Sequence, residues 1–409
     1  MVQRNAAVEV RDMPKEPLTP SQVQREVDHL LPFFTEKGAE NEKARILVPE
    51  VFEKIEQLRL HKLLVPRDLG GIGASITEHI EIVEKLSYAD ASTGWVVFAS
   101  GVSTSTAAGY LSTEAASRIL APDTRGLIAG AGAPTGTATV VEGGYLLTGK
   151  WSYGSGLLHA DWSHSGAFVH ENGKMRLDQN GAPEHIILHV PIADVELNGN
   201  WDVLGLRATG SIDYAISNVF VPHEHTYLPS NPSIASRPEI FGIGMMPIVT
   251  IGHAAWAAGV ARRILDELAS YVRTKGLRAG SLASSDSFAE RYGEAEARTL
   301  SARAFLYKTW EDIEAKRASL EPLSTRDITM IRLALSNMTY AATEAGEFAY
   351  RIAGGESLRH GTMQRIYRDI HSGSQHITSS AAVMQSCGRE LAGLATNEVW
   401  GVNSLIKLP

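Results

Sequence analysis

The spacing of apolar residues along the chain changes twice. It is helical at first, breaks into short β-type runs near Gly126, and becomes helical again from about Pro247. Val23, Val27, Leu30, Leu31 and Phe34 recur at helical intervals, as do Val48, Val51, Phe52, Ile55 and Leu58. Gly70-Gly71-Ile72-Gly73 marks a turn, and Ile76–Ser87 and Ala91–Leu111 predict two more helices. The second of these is rich in small residues and predicts close packing. Ser112, with Glu114 two residues on, marks another helix start.

Beyond Gly126, glycine and threonine become dense. Ala138–Gly149 predicts a hairpin that turns on Gly143-Gly144, and Ser165–His170, Ile186–Val190, Tyr214–Ile216 and Val219–Val221 predict strands, closed by Pro222. In the last part Ile251, Ala255, Ala258, Leu265, Leu268 and Val272 share one helical face. Met330, Leu333, Asn337, Ala341, Phe348 and Ile352 outline a second long helix, which Gly354-Gly355 would end. Lys275–Ser287 predicts a Gly/Ser/Ala-rich loop between helices. The expected division is a helical domain over 1–125, a β-domain over 126–230 and a helical bundle over 231–409.

Composition narrows the class. The 409 residues are 44% apolar and 21% charged, with a net charge of −8 and no long basic run, so nucleic acid and anionic membrane are not expected partners. Phe241–Ala261 is broken by glycines, Pro247 and His253, and reads as a buried helix, not a membrane span. Met1–Pro20 is mixed and polar, with no signal-peptide core, and the single cysteine, Cys387, permits no intrachain disulfide; the chain is expected in the cytoplasm. His223 and His225 flank Glu224 with no further ligand near in sequence, so solvated turn histidines, and no metal site, are expected.

Several motifs point nowhere. Gly144–Lys150 has phosphate-loop spacing, but Trp151 stands where Ser or Thr should follow the lysine. Gly130-Ala131-Gly132-Ala133-Pro134-Thr135-Gly136 is one residue out of register for a dinucleotide fingerprint, and strands follow it where a helix is needed. No Gly-x-Ser-x-Gly occurs.

Two stretches carry candidate chemistry. Were Arg365–His376 helical throughout, Asp369, Ser372 and His376 would share a face, aligning a carboxylate, a hydroxyl and an imidazole. Asp369 would then orient His376 for proton transfer, or pair with Arg365 in a solvated contact of small value. Trp151-Ser152-Tyr153-Gly154-Ser155-Gly156 sets aromatic rings and a Gly-Ser-Gly turn beside a strand edge. This arrangement suits a flat heterocycle, or equally a tryptophan that fills the gap between sheet and helices.

The order of these parts resembles the acyl-CoA dehydrogenase superfamily across nearly the whole chain. Val65–Gly71 resembles its early Pro-x-x-x-Gly-Gly segment, Gly205–Ser211 with Val219–Pro222 its late β-domain signature, and Arg368-Asp369 its C-terminal Arg-Asp pair. The implied fold is mostly α with a small central β-barrel-like domain and a C-terminal four-helix bundle. Dehydrogenases of the superfamily use a glutamate base soon after the Arg-Asp pair or on an earlier helix. Ile370–Ile377 and Phe241–Leu265 both lack one. What remains resembles the flavin-dependent monooxygenase branch. The matching stretches are Ser92–Trp95, Asp369–His376 and the string Trp151-x-x-x-Ser155-Gly156-x-x-His159-Ala160-x-Trp162.

This resemblance implies an oxygenase that receives reduced FMN or FAD from a separate flavin reductase, forms a C4a-hydroperoxide with O2, and oxygenates a small organic substrate, expected to be aromatic or polycyclic. Ser155 would hydrogen-bond flavin N5 and His376 would sit by the reactive edge, with Asp369 as the third catalytic candidate. Trp95, Gly132, Thr137 and Trp151 are the implied flavin contacts. Arg273, with Arg278 as its rival, would meet the flavin phosphate, and Gly354 and Gly355 the cofactor of a neighbouring subunit in a homotetramer. A dehydrogenase acting on an acyl thioester is the alternative.

Overall fold

The computed structural model describes residues 16–121, 124–178, 181–229, 234–275 and 282–407. Arg278, residues 1–15 of the N-terminal stretch and residues 276–281 of the glycine-rich loop lie outside them.

Five helices come first: α1 (Pro20–Ala44), α2 (Pro49–Gln57), α3 (Ile76–Ala89), α4 (Ala91–Tyr110) and α5 (Thr113–Ile119). Their starts are written in side chains. Thr19 and Gln22 form a capping box on α1, Ser75 and Glu78 another on α3, while Asp90 caps α4 and Ser112 caps α5. Small residues on α4 serve packing. A Cβ on Gly94 would come within 2.0 Å of the Ser87 hydroxyl, so α3 and α4 approach closely only because Gly94 has none.

Next come β1 (Ile128–Val141), β2 (Gly144–Gly154), β3 (Trp162–Glu171), β4 (Lys174–Met175), β5 (His185–Pro191), β6 (Glu196–Leu197), β7 (Ile212–Pro222) and β8 (Thr226–Tyr227). They form one sheet in the order β6-β7-β2-β1-β3-β5-β8, with β4 paired to β3. The predicted hairpin is β1–β2, with Thr137 opposite Thr148. β1 and β3 run parallel, and their register shifts between Ala131 and Gly136. The two strands expected over 214–221 are one strand, β7, which carries Asn218 at φ 56 beside a register shift against β2. Pro222 does not end the sheet, because β8 still pairs with β5.

The remainder is α6 (Pro238–Phe241), α7 (Met245–Lys275), α8 (Asp286–Ala318), α9 (Thr325–Ala353), α10 (Thr362–Gly373), α11 (Ala381–Leu391) and a short hairpin of β9 (Glu398–Trp400) with β10 (Leu405–Lys407). α7 is the hub and packs on α3, α4, α9 and α10. α9 ends at Gly354, whose φ of 56 suits a residue without a Cβ. α8 has no counterpart in the sequence reading. Its buried stripe, Ala302, Leu306, Trp310 and Ile313, is narrow, and charged residues are interspersed along the rest. Among the described residues no helix is long and apolar enough to cross a membrane.

Candidate active site

The site is built where β2 ends, beside α4, α7 and the segment after α10. Ser155 follows β2 directly. Its hydroxyl receives the Trp95 indole N–H at 3.0 Å and lies 2.8 Å from the Ser211 hydroxyl. Ser211 is 2.6 Å from the Thr209 hydroxyl, which donates to the Leu206 carbonyl at 2.8 Å. A chain of hydroxyls therefore ties Ser155 to the loop before β7. That loop is fixed at its other end, where the Leu206 N–H donates to the Asp369 carboxylate at 2.6 Å.

Trp95 also touches the histidines. Its ring centroid is 5.9 Å from His376 and 5.5 Å from His253, both edge-on, and 5.0 Å from Trp256. His376 and His253 lie 4.9 Å apart, and the Nδ1 atoms of both contact the Thr378 hydroxyl, at 2.7 and 3.0 Å. Burial lowers the pKa of His376 to about 4, and burial with the neighbouring His376 holds His253 well below the usual imidazole range. Both rings are neutral at pH 7. No carboxylate is among the groups that shift either one.

Other expected site residues are placed differently. α10 stops at Gly373, and His376 caps the short 3-10 turn Ile377–Ser379, so the single face of Asp369, Ser372 and His376 does not form. Gly373 ends the helix against Trp256, where a Cβ would stand 2.1 Å from the indole. Asp369 is 3% exposed and makes no hydrogen bond to His376 and no ion pair with Arg365. Burial pushes its carboxyl up to about 7; the Leu206 N–H opposes the rise and nearby Asp90 adds to it. Asp369 therefore holds the Leu206–Ser211 loop and does not orient the imidazole.

Trp151 is a core side chain. It is 1% exposed, stacked on Tyr214 at 5.1 Å, and its N–H donates to the Gly166 carbonyl at 2.9 Å. No face of its ring is left for a ligand, which corrects the expectation of a flavin contact. Gly132 and Thr137 lie on β1. Thr137 is exposed opposite Thr148, and Gly132 sits at the register shift over His164. Arg273 lies twenty residues beyond His253 on α7, about 30 Å along the helix. The Tyr271 hydroxyl donates to the Ala353 carbonyl at 3.4 Å, which puts exposed Arg273, Gly354 and Gly355 together at that far end.

The Trp-x-x-x-Ser-Gly-x-x-His-Ala-x-Trp string divides in the same way. Only Ser155 enters the site. His159 stacks on Phe52 at 4.0 Å and Asp161 pairs with Arg125, joining the sheet to α2. The residues missed from sequence are His253, Thr378 and Ser211. His253 stood out only as a polar residue in an apolar helix, which is a usable signal for a buried hydrogen-bonded group.

Residues 23–126 match the acyl-CoA dehydrogenase N-terminal domain, and residues 251–381 the acyl-CoA dehydrogenase C-terminal domain. The chain belongs to the acyl-CoA dehydrogenase superfamily. It is 28% identical to the flavin-dependent monooxygenase oxygenase subunit HsaA of Rhodococcus jostii, over 88% of this chain and 96% of that protein. Identity to the indole-3-acetate monooxygenase of Pseudomonas putida is 27%, over 87% and 89% of the two chains. Among solved structures it is similar to 3-HSA hydroxylase from Rhodococcus sp. RHA1, with a TM-score of 0.79, 26% identity and coverage of 91% and 97%. XiaF from Streptomyces sp., solved with FADH2 and glycerol, shares the fold at a TM-score of 0.81 and 22% identity, over 92% and 96% of the chains.

The site's donor set fits a flavin. Ser155 and His376 are both partly exposed, and both are anchored from behind by one indole. A hydroxyl and an imidazole so placed can meet the polar edge of a flat ring system.

Proposed function

We propose that this protein is the oxygenase component of a two-component flavin-dependent monooxygenase. A separate reductase supplies reduced FMN or FAD, and one atom of O2 passes to a small aromatic or polycyclic substrate while the other leaves as water. The observation that carries this reading is the joint anchoring of Ser155 and His376 by Trp95, with no carboxylate bonded to either. A thioester dehydrogenase needs a carboxylate base at that edge. In this reading the neutral imidazole of His376 stands there instead.

When bound, reduced flavin supplies the electron pair that activates O2. The chain's own residues do the rest. Ser155 offers its hydroxyl to flavin N5, held by Trp95 and Ser211. His376 stands by the reactive edge. Trp95, Phe98 and Trp256, all buried, form an apolar wall that keeps water from it. Arg273, Gly354 and Gly355 are too far from His253 to serve the same flavin. They would meet the cofactor of a neighbouring copy in a homotetramer, which we place in the cytoplasm.

The test is direct. Chemically reduced flavin is added under air with a panel of phenols, indoles and thiophenes, and products are read by mass. A gain of one oxygen on a substrate is expected. Acyl-CoA oxidation with an artificial electron acceptor, and no oxygenated product, would replace this reading with the dehydrogenase one.

A further inference from the structure

His253 has no part in the scheme above, yet it is fully buried beside His376. Both Nδ1 atoms contact one hydroxyl, that of Thr378, at 3.0 Å from His253 and 2.7 Å from His376. A threonine hydroxyl has one hydrogen to give. It donates to one imidazole and must accept from the other.

A third contact decides which. The backbone N–H of Thr378 donates to His376 Nδ1 at 3.4 Å, and His376 is thereby the N-cap of the 3-10 turn Ile377–Ser379. An N–H aimed at Nδ1 requires a lone pair there. Since burial keeps both rings neutral at pH 7, each has one N–H to place; the Gly373 carbonyl also acts on the His253 ring, but His253 Nε2 has no hydrogen-bond partner and Nδ1 contacts Thr378. His376 therefore carries its hydrogen on Nε2. The Thr378 hydroxyl donates to His376 Nδ1, and its oxygen accepts the Nδ1–H of His253.

We propose that His253 is a positioning residue: its Nδ1–H turns the Thr378 hydroxyl toward His376 Nδ1 and so, together with the Thr378 N–H, holds His376 as the Nε2–H tautomer, which meets flavin or substrate as a hydrogen-bond donor and not as a base. What His376 faces rests on the monooxygenase reading. The tautomers themselves belong to the protein alone. A base toward a substrate hydroxyl would need a bare Nε2, and the Thr378 N–H withholds that form by requiring the bare nitrogen at Nδ1.

Imidazole nitrogens with and without hydrogen differ strongly in 15N chemical shift, so the full chain labelled with 15N-histidine reports both tautomers at pH 7 without flavin. His376 is expected as Nε2–H and His253 as Nδ1–H. Thr378→Val removes the hydroxyl at nearly constant volume and is expected to raise the Nδ1–H population of His376 about fivefold, the loss of one ordinary hydrogen bond. Thr378→Ser restores the wild-type pattern. His253→Asn, whose side-chain amide can still donate to Thr378, keeps His376 as Nε2–H. The reverse pattern in the wild type, His376 Nδ1–H with His253 Nε2–H, overturns the proposal. So does a His376 tautomer that Thr378→Val leaves unmoved. Neither measurement uses flavin, O2 or substrate, so a failed oxygenation assay and a failed tautomer assignment are separate results.

Discussion

The indole N–H of Trp95 donates to the hydroxyl of Ser155 across 3.0 Å, and this bond joins a helix of the first segment to the end of a strand in the second. The two residues are 60 positions apart. The same indole lies against both histidines, so one side chain contacts Ser155, His253 and His376.

Trp95→Phe keeps an aromatic ring against Phe98 and Trp256 and removes only the N–H. A part-buried hydrogen bond contributes about 1 kcal/mol net. Urea denaturation is expected to show a loss of that size. A loss above about 3 kcal/mol would mean that the ring itself had been displaced, and that the bond is not the main link.

Gly205→Ala should reach Ser155 from a distance. A Cβ on Gly205 would lie 2.2 Å from the Arg368 carbonyl, on the backbone of α10. The Leu206–Ser211 loop must then move off Asp369, and Ser211 moves with it. Overpacking of this kind costs about 1–3 kcal/mol. Flavin affinity, read by fluorescence titration, is expected to fall more than in Trp95→Phe; unchanged affinity would show that the loop does not position Ser155.

His376→Ala is expected to leave flavin binding largely intact while lowering oxygen transfer. Removal of one well-placed donor commonly costs about 10²–10³-fold. Product and hydrogen peroxide are measured per reduced flavin oxidised, and peroxide should rise as product falls. His376→Gln, whose amide can place an N–H near the position of Nε2, should recover part of the product. Equal product from wild type and His376→Ala would remove His376 from the mechanism.

Asp369 gives the fold a pH signature. Its carboxyl is near 7 when folded, against about 4 in an unfolded chain. Between those values the folded state holds the extra proton, so this group's contribution to stability is full below about pH 4 and is lost as pH rises through 7. The loss is on the order of 4 kcal/mol. Asp369→Asn keeps an acceptor for the Leu206 N–H and cannot ionise. Relative to wild type it is expected to be about 3 kcal/mol more stable at pH 8 than it is at pH 5, by denaturation at both values. A difference that does not change with pH would place the Asp369 pKa near its ordinary value.

Much of the fold was legible in the residue pattern. The helices of the first segment, the Ala138–Gly149 hairpin and the long helix ended by Gly354 follow from periodicity, caps and glycines, which act over a few residues. α8 was missed because one narrow apolar stripe on a polar helix barely differs from loop composition. The strand pair expected over 214–221 is one strand because the bend at Asn218 is absorbed by a shift in its partner.

The site was only half legible, for a different reason. Ser155 and His376 were singled out, and lie against one indole, because they sit in motifs whose order along the chain is itself informative. That order, and the lack of an acidic residue in both places where a dehydrogenase keeps its base, are properties of the sequence alone. Which polar groups meet is not. Sequence spacing places a side chain on a face of its own element, and it cannot say what lies across 125 residues, the separation of His253 from Thr378, or 163, that of Leu206 from Asp369. Burial of Trp151, the stop of α10 at Gly373 against Trp256, and the shared Thr378 hydroxyl are decided by helices and sheet packing together, since only close packing in three dimensions fixes which donor each acceptor receives.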